Sequence, residues 1–416
     1  MASIETVVLS CGMTLVVEPI AGVRSAAVSW LVPGGAAEDP ADRLGRAAVW
    51  QEMLMRGAGS LDSRSQADVF DRLGCSRSVS VGGMTMRVGA TMLGDRLKES
   101  LPLLIDMVRA PKLDEDSVEP SKDLALQAIE SLKDEPQERA MVALGARHHR
   151  APLNRSGLGT AEGIQALTHH ELAHGWKAAA NPGRSIMAVA GSVDPAALRR
   201  QLEQLLGGWS GNHPEPALGG EAPRGYAHET DESNQVQIVV AHDGPKESEP
   251  DAVLEKVVAS VLSGGMSGRL FSEVREKRAL CYSVSAGYRG ERDFGTVTAY
   301  VGTTPERAQE SLDVLFGELE RIGTPAGRVT SEELARAVVG MKSRLVFSGE
   351  STGARAGALV SDQYRLGRAR SLRELADAVD KVTVDQVNTY LARRKLGRVT
   401  VQTLGPASLK APAAVG

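Results

Sequence analysis

The chain is poor in cysteine, in aromatic side chains and in any excess of one charge, and each shortage narrows what it can be. Its three cysteines, Cys11, Cys75 and Cys281, are odd in number and form no CxxC pair. No disulfide framework is indicated, and small buried thiols in a reduced cytoplasm are the expectation. Lys and Arg total 48 against 52 Asp and Glu, a net charge of −4 with no long run of one sign. That balance lacks the basic face a nucleic-acid partner needs. No apolar stretch approaches the ~20 residues required to cross a bilayer. The opening Met1-Ala2-Ser3-Ile4-Glu5 has neither a charged n-region nor an apolar core, so no signal or transit peptide is expected.

What is present is patterning. At 416 residues the chain can bury two substantial cores. Glu5 to Glu18 alternates apolar and polar residues about Cys11-Gly12, which predicts a hairpin of two short strands. Val23 to Val32 continues as a strand and stops at the turn signal Pro33-Gly34-Gly35. Leu97, Leu101, Leu104, Ile105 and Val108 share one helical face ahead of Ala110-Pro111. The chain also echoes itself. Arg72 to Val81 resembles Arg278 to Ala286, Gly94 to Leu101 resembles Thr304 to Leu312, and Ile164 to Ala190 resembles Leu375 to Thr403. Each echo is displaced by about half the chain, so two related domains are the economical reading. The Pro/Gly-rich stretch from Gly211 to Gly225 suits the join, and the expected division is 1–210, a linker at 211–228, and 229–416.

Leu44 to Gly57, LGRAAVWQEMLMRG, is the most telling segment. It resembles the surroundings of the inverted zinc motif H-x-x-E-H of the M16 family (insulinase, pitrilysin, mitochondrial processing peptidase). On that frame Ala48 stands at the first His, Gln51 at the general-base Glu and Glu52 at the second His, while Met53-Leu54 and Arg56-Gly57 still fit. Two His at i and i+4 with a further carboxylate hold zinc and leave a position for water, whose proton the Glu removes. Ala48 cannot ligate a metal, and Gln51 is not a base at any working pH. The family's third ligand falls on Ala128 and its auxiliary acid on Ser121. The scaffold signatures persist: GLGTAEGIQALT at Gly157 to Thr168, Asn181-Pro182, and the strand Met187 to Gly191. The resemblance implies an α+β fold of two homologous domains, each a mainly antiparallel sheet packed by helices, arranged as a clamshell.

A second family motif survives. Leu262 to Val284, LSGGMSGRLFSEVREKRALCYSV, resembles L-G-G-G-M-S-S-R-L-F-x-E-L-R-E-K-x-G-L-A-Y-S-V, and Arg275 with Tyr282 matches its R-x6-Y pair. In active relatives this pair reaches the zinc site of the other half. A guanidinium and a phenol are fixed donors suited to a peptide carbonyl that gains charge in the transition state. The plainer reading has Arg275 capping a helix end and Tyr282 filling a strand face. Relatives also bind peptide along a sheet edge near G-G-x-x-N-A-x-T. Here that stretch is Gly74 to Val81, with Ser78 for the Asn and Val79 for the Ala.

His170-Glu171-Leu172-Ala173-His174 is a literal H-E-x-x-H, which read alone would make His170 and His174 zinc ligands and Glu171 the base. Thr168 and Glu171 also form a T-x-x-E capping box. An acid ligand from Asp194 or Glu203 stays open, and His148-His149 between Arg147 and Arg150 reads as a solvated helix end. Some relatives are heteromers in which one subunit carries H-x-x-E-H and the other only the Arg/Tyr pair. The leading expectation is therefore a subunit without catalytic residues or zinc of its own. It would join a metal-bearing M16 subunit and supply Arg275 and Tyr282 to a peptide chamber. The alternatives are a structural scaffold of the same fold and an independent zinc peptidase built on His170.

Overall fold

The computed structural model describes residues 3–413. In chain order its strands are β1 (Glu5–Val8), β2 (Thr14–Pro19), β3 (Ser25–Pro33), β4 (Gly57–Ala58), β5 (Leu61–Asp62), β6 (Ser76–Val81), β7 (Thr85–Leu93), β8 (Ile186–Gly191), β9 (Gly225–Thr230), β10 (Val236–Gly244), β11 (Cys281–Gly290), β12 (Gly295–Thr303) and β13 (Thr400–Gly405). The chain forms two compact units, each gathered from three stretches: 1–131, 151–220 and 348–370 make one, and 132–150, 221–347 and 371–416 the other.

The first unit is built on a sheet of order β1-β2-β8-β3-β7-β6. The hairpin expected about Gly12 is β1–β2, with Gly12 at φ 93° making the turn. The expected strand is β3, which pairs antiparallel with both β7 and β8 and stops at Pro33. On the inner face Val28, Trp30 and Val88 meet Leu101, Leu104, Ile105 and Val108 of the helix Leu97–Arg109. Each such buried side chain contributes about 1.5–3 kcal/mol of transfer free energy. The outer face is covered by the helix Thr352–Leu366, whose Ala356, Leu359 and Val360 pack on Val16, Ala27, Leu31 and Ala190. Arg355 of this helix is buried, pairs with Glu18 and donates from Nη2 to the Arg370 carbonyl at 2.6 Å.

The second unit has the sheet order β11-β12-β10-β13-β9. Position by position this repeats β6-β7-β3-β8-β2, including one parallel pair, β13 with β9 as β8 with β2. The helix Ala308–Arg321 lies on the inner face with Leu312, Leu315 and Leu319 in the core, as Leu97–Arg109 does in the first unit. The outer face carries the helix Pro136–His148, with Ala140 and Leu144 against Val239, Ala241, Tyr300 and Leu404. Arg139 holds that helix to the sheet, donating from Nη1 to Asp231 at 2.7 Å and from Nε to Glu229 at 2.8 Å. Each sheet is thus covered on its outer face by a helix from the other half of the sequence. The fold is α+β, as the resemblance implied.

Candidate functional site

The segment that corresponds to the zinc motif forms the helix Arg46–Met53 in the first unit. Its start is held by a buried acid seven residues upstream: Asp39 accepts from the Gly45 N–H at 2.8 Å and the Ala47 N–H at 3.0 Å. Burial pushes the Asp39 carboxyl up to about 6, with those amides and the Arg46 guanidinium opposing the shift. The helix is locked to the fold by Trp50. Its indole Nε1–H donates to the Leu172 carbonyl at 2.9 Å, and its ring meets Trp176 edge-on at 5.4 Å.

The donors needed for zinc are not assembled on this helix. Ala48 is buried and offers only a methyl group. The Gln51 amide is committed at both ends: Oε1 accepts from the Val81 N–H at 3.2 Å, and Nε2 donates to Glu52 Oε1 at 3.3 Å. On the helix Val118–Ser131, Ser121 is buried and Ala128 exposed, and neither supplies a carboxylate. Glu52 alone could touch a cation. Among the described residues no group of three or more His, Cys, Asp or Glu side chains is gathered for a metal ion. A zinc ion held in the manner of H-x-x-E-H does not fit this donor set.

His170 and His174 project from the helix His169–Ala179 with ring centroids 4.6 Å apart, both exposed. Glu171 serves the fold there. Its Oε2 accepts from the Thr168 N–H at 2.9 Å and hydroxyl at 2.8 Å, completing the capping box, and Oε1 accepts from Arg43 Nε at 3.1 Å. The two acids left open as further ligands are also engaged: Asp194 caps the Ala196 and Ala197 amides, and Glu203 binds Ser10. His148 and His149 correct the expectation of a solvated helix end. His148 is 1 % exposed, with Nδ1 at 2.9 Å from the Thr400 hydroxyl, because its helix lies flat on the second sheet. Burial, reinforced by the Arg224 and His149 charges, depresses its imidazole to about 4.

In the second unit the chain between Phe271 and Ser283 is locally unusual in two ways. Residues Phe271–Glu276 form a wide π-type turn, in which the Lys277 N–H reaches the Ser272 carbonyl at 3.0 Å. Seven residues after Arg275, β11 carries a bulge: Cys281 opposes Thr303 and Ser283 opposes Gly302, leaving Tyr282 as the extra residue. The bulge turns Tyr282 out of the ladder, and its side chain is 85 % exposed. The Arg275 guanidinium stacks on two rings, 4.9 Å from the Phe271 centroid and 5.2 Å from that of Tyr282. Tyr282 does not fill a strand face, and Arg275 stacks on aromatic rings. Phe271, one turn before Arg275, completes the stack and was missed by the R-x6-Y pattern; its four-residue spacing on a helical turn is the signal that finds it. The edge-strand segment is β6, at the outer margin of the first sheet as the resemblance implied.

Residues 15–161 match the family description "Insulinase (Peptidase family M16)" and residues 166–341 match "Peptidase M16 inactive domain". Proteins called uncharacterized zinc proteases are 26% identical in Mycobacterium tuberculosis over 402 residues, covering 95% of this chain and 91% of that protein. Another, in Bacillus subtilis, is 26% identical over 385 residues, covering 91% and 92%. Among solved structures, a peptidase M16 inactive-domain protein from Pseudomonas fluorescens superposes with TM-score 0.86 at 21% identity, covering 99% of each chain. A protease from Helicobacter pylori superposes with TM-score 0.85 at 18% identity, covering 98% of this chain and 100% of that one.

Proposed function

Because the chain belongs to the M16 peptidase family, we propose that it is the non-catalytic subunit of a two-subunit M16 peptidase. A metal-bearing M16 chain supplies zinc and the general base, and this chain supplies Arg275 and Tyr282 to the bound peptide. The observation that carries the reading is a contrast between the two units. The zinc-motif helix holds Ala48 and a doubly committed Gln51, whereas Arg275 and Tyr282 are brought together by a π-type turn and a bulge, with Tyr282 exposed. Bulges and π-turns recur next to functional sites because they re-aim side chains at some cost in regular pairing. A guanidinium already flanked by rings loses little freedom when it meets a carbonyl oxygen, and a phenolic O–H adds a second donor.

The chain needs no zinc in this role, and the substrate is a peptide in extended form. The three free cysteines suit a reduced, cytoplasmic setting. No helix among the described residues is long and apolar enough to cross a membrane. The test is a mixed complex with an H-x-x-E-H-bearing M16 subunit. Arg275→Ala with Tyr282→Ala is expected to leave assembly intact and lower peptide turnover by about 100-fold, the scale of losing a transition-state donor. Full turnover in the double variant would refute the assignment and leave the scaffold reading.

A further inference from the structure

We infer that Gln51 is a latch on the open edge of the first sheet, closing to strand addition the backbone position at Val81. The inference concerns the first unit alone and goes beyond the role proposed for Arg275 and Tyr282.

The parity of the β6–β7 hairpin decides which backbone groups face outward. The Gly82 N–H donates to the Thr85 carbonyl at 2.9 Å, so Ser80, Ser78 and Ser76 are the residues whose backbone groups bond across the ladder. Arg77, Val79 and Val81 therefore turn their N–H and C=O groups away from β7. Since β6 is the last strand of its sheet, those groups form its outer margin. A row of outward amides is a template for another strand. At Val81 the template is already occupied, because Gln51 Oε1 accepts that N–H at 3.2 Å.

The latch is itself oriented. Glu52 Oε1 accepts from Gln51 Nε2 at 3.3 Å, which fixes which end of the amide faces the strand. The two residues standing at the base and second-ligand positions of the metal motif thus form one brace, Glu52 to Gln51 to Val81, from the helix Arg46–Met53 to the sheet margin. A glutamate acting as a base must keep its carboxylate free for water, whereas an amide has no proton to take and can be committed to a backbone donor. The substitution that removes the chemistry is the same one that supplies the latch. An added strand is left with the Arg77 and Val79 positions only, and at Arg77 the side chain is held back over the Phe70 ring at 4.3 Å.

Residue-resolved amide hydrogen exchange on the full chain tests this, with Arg77 and Val79 as internal measures of an open edge. In the unaltered protein the Val81 amide is expected to exchange about tenfold more slowly than those two, the scale of one net backbone hydrogen bond. Gln51→Met, of equal reach but without an acceptor, is expected to bring Val81 to the open-edge rate. Ser80 and Gly82, bonded within the hairpin, should stay protected in every variant; their protection also reports that the unit is folded. Val81 exchanging as fast as Val79 in the unaltered protein overturns the latch. So does protection that survives Gln51→Met in a folded unit. Arg275 and Tyr282 do not enter the measurement, so failure of the latch leaves the proposed function standing, and the converse also holds.

Discussion

At Asp39 the cost of burial and the benefit of capping act on one carboxylate. It accepts the Gly45 and Ala47 amides at the start of the helix Arg46–Met53, yet burial holds its carboxyl up at about 6. Since the folded value lies above the unfolded one, the contribution of Asp39 is fully present below about pH 4. It is lost as pH rises through about 6. Asp39→Ala is expected to lower stability by about 1–2 kcal/mol at pH 4, the scale of a lost helix cap, and by less at pH 7. Urea denaturation at the two pH values checks both the size and the sign. Arg275 differs in kind: its guanidinium stacks on Phe271 and on an exposed Tyr282. Its spacing to Tyr282 was legible in the sequence as R-x6-Y. The bulge that exposes Tyr282 was not, because a bulge is a mismatch of two strands and a pattern along one strand cannot display it.

The elements that carry the repeat were the most legible. The β1–β2 hairpin, β3 and the helix Leu97–Arg109 follow from alternation, a Pro-Gly-Gly stop and a five-residue apolar face, all local signals. The covering helices were not legible in the same way. Pro136–His148 and Thr352–Leu366 each lie on a sheet formed largely from the other half of the chain, and their apolar faces say that they are covered without saying by what. His148 shows the consequence. Its neighbours Arg147 and Arg150 look solvated, but its ring is buried under the Thr400 hydroxyl. Its imidazole falls to about 4 in the fold, so the unfolded chain binds the extra proton between pH 6.5 and about 4, and stability drops with pH across that window. The loss is about 3 kcal/mol at full extent, and His148→Gln, which keeps a partner for Thr400, is expected to flatten it in a pH series of chemical denaturation. Within the other covering helix, Leu359→Ala removes a fully buried side chain. It is expected to cost about 3 kcal/mol in the same assay.

For the molecule as a whole, two sheets of equivalent order carry unequal endowments. The first unit carries Ala48, Gln51 and Glu52 at the positions of the zinc motif; the second brings Arg275 and Tyr282 together. The literal H-E-x-x-H at His170 is the one place where the sequence offers a competing metal site. The structure spends its Glu171 on a helix cap and an ion pair with Arg43. Metal content therefore separates a chain without zinc from a peptidase built on His170. Zinc per chain, measured by mass spectrometry on the protein expressed and purified alone with zinc in the medium, is expected to be close to zero. A value close to one would contradict the account and make His170 and His174 the first residues to replace.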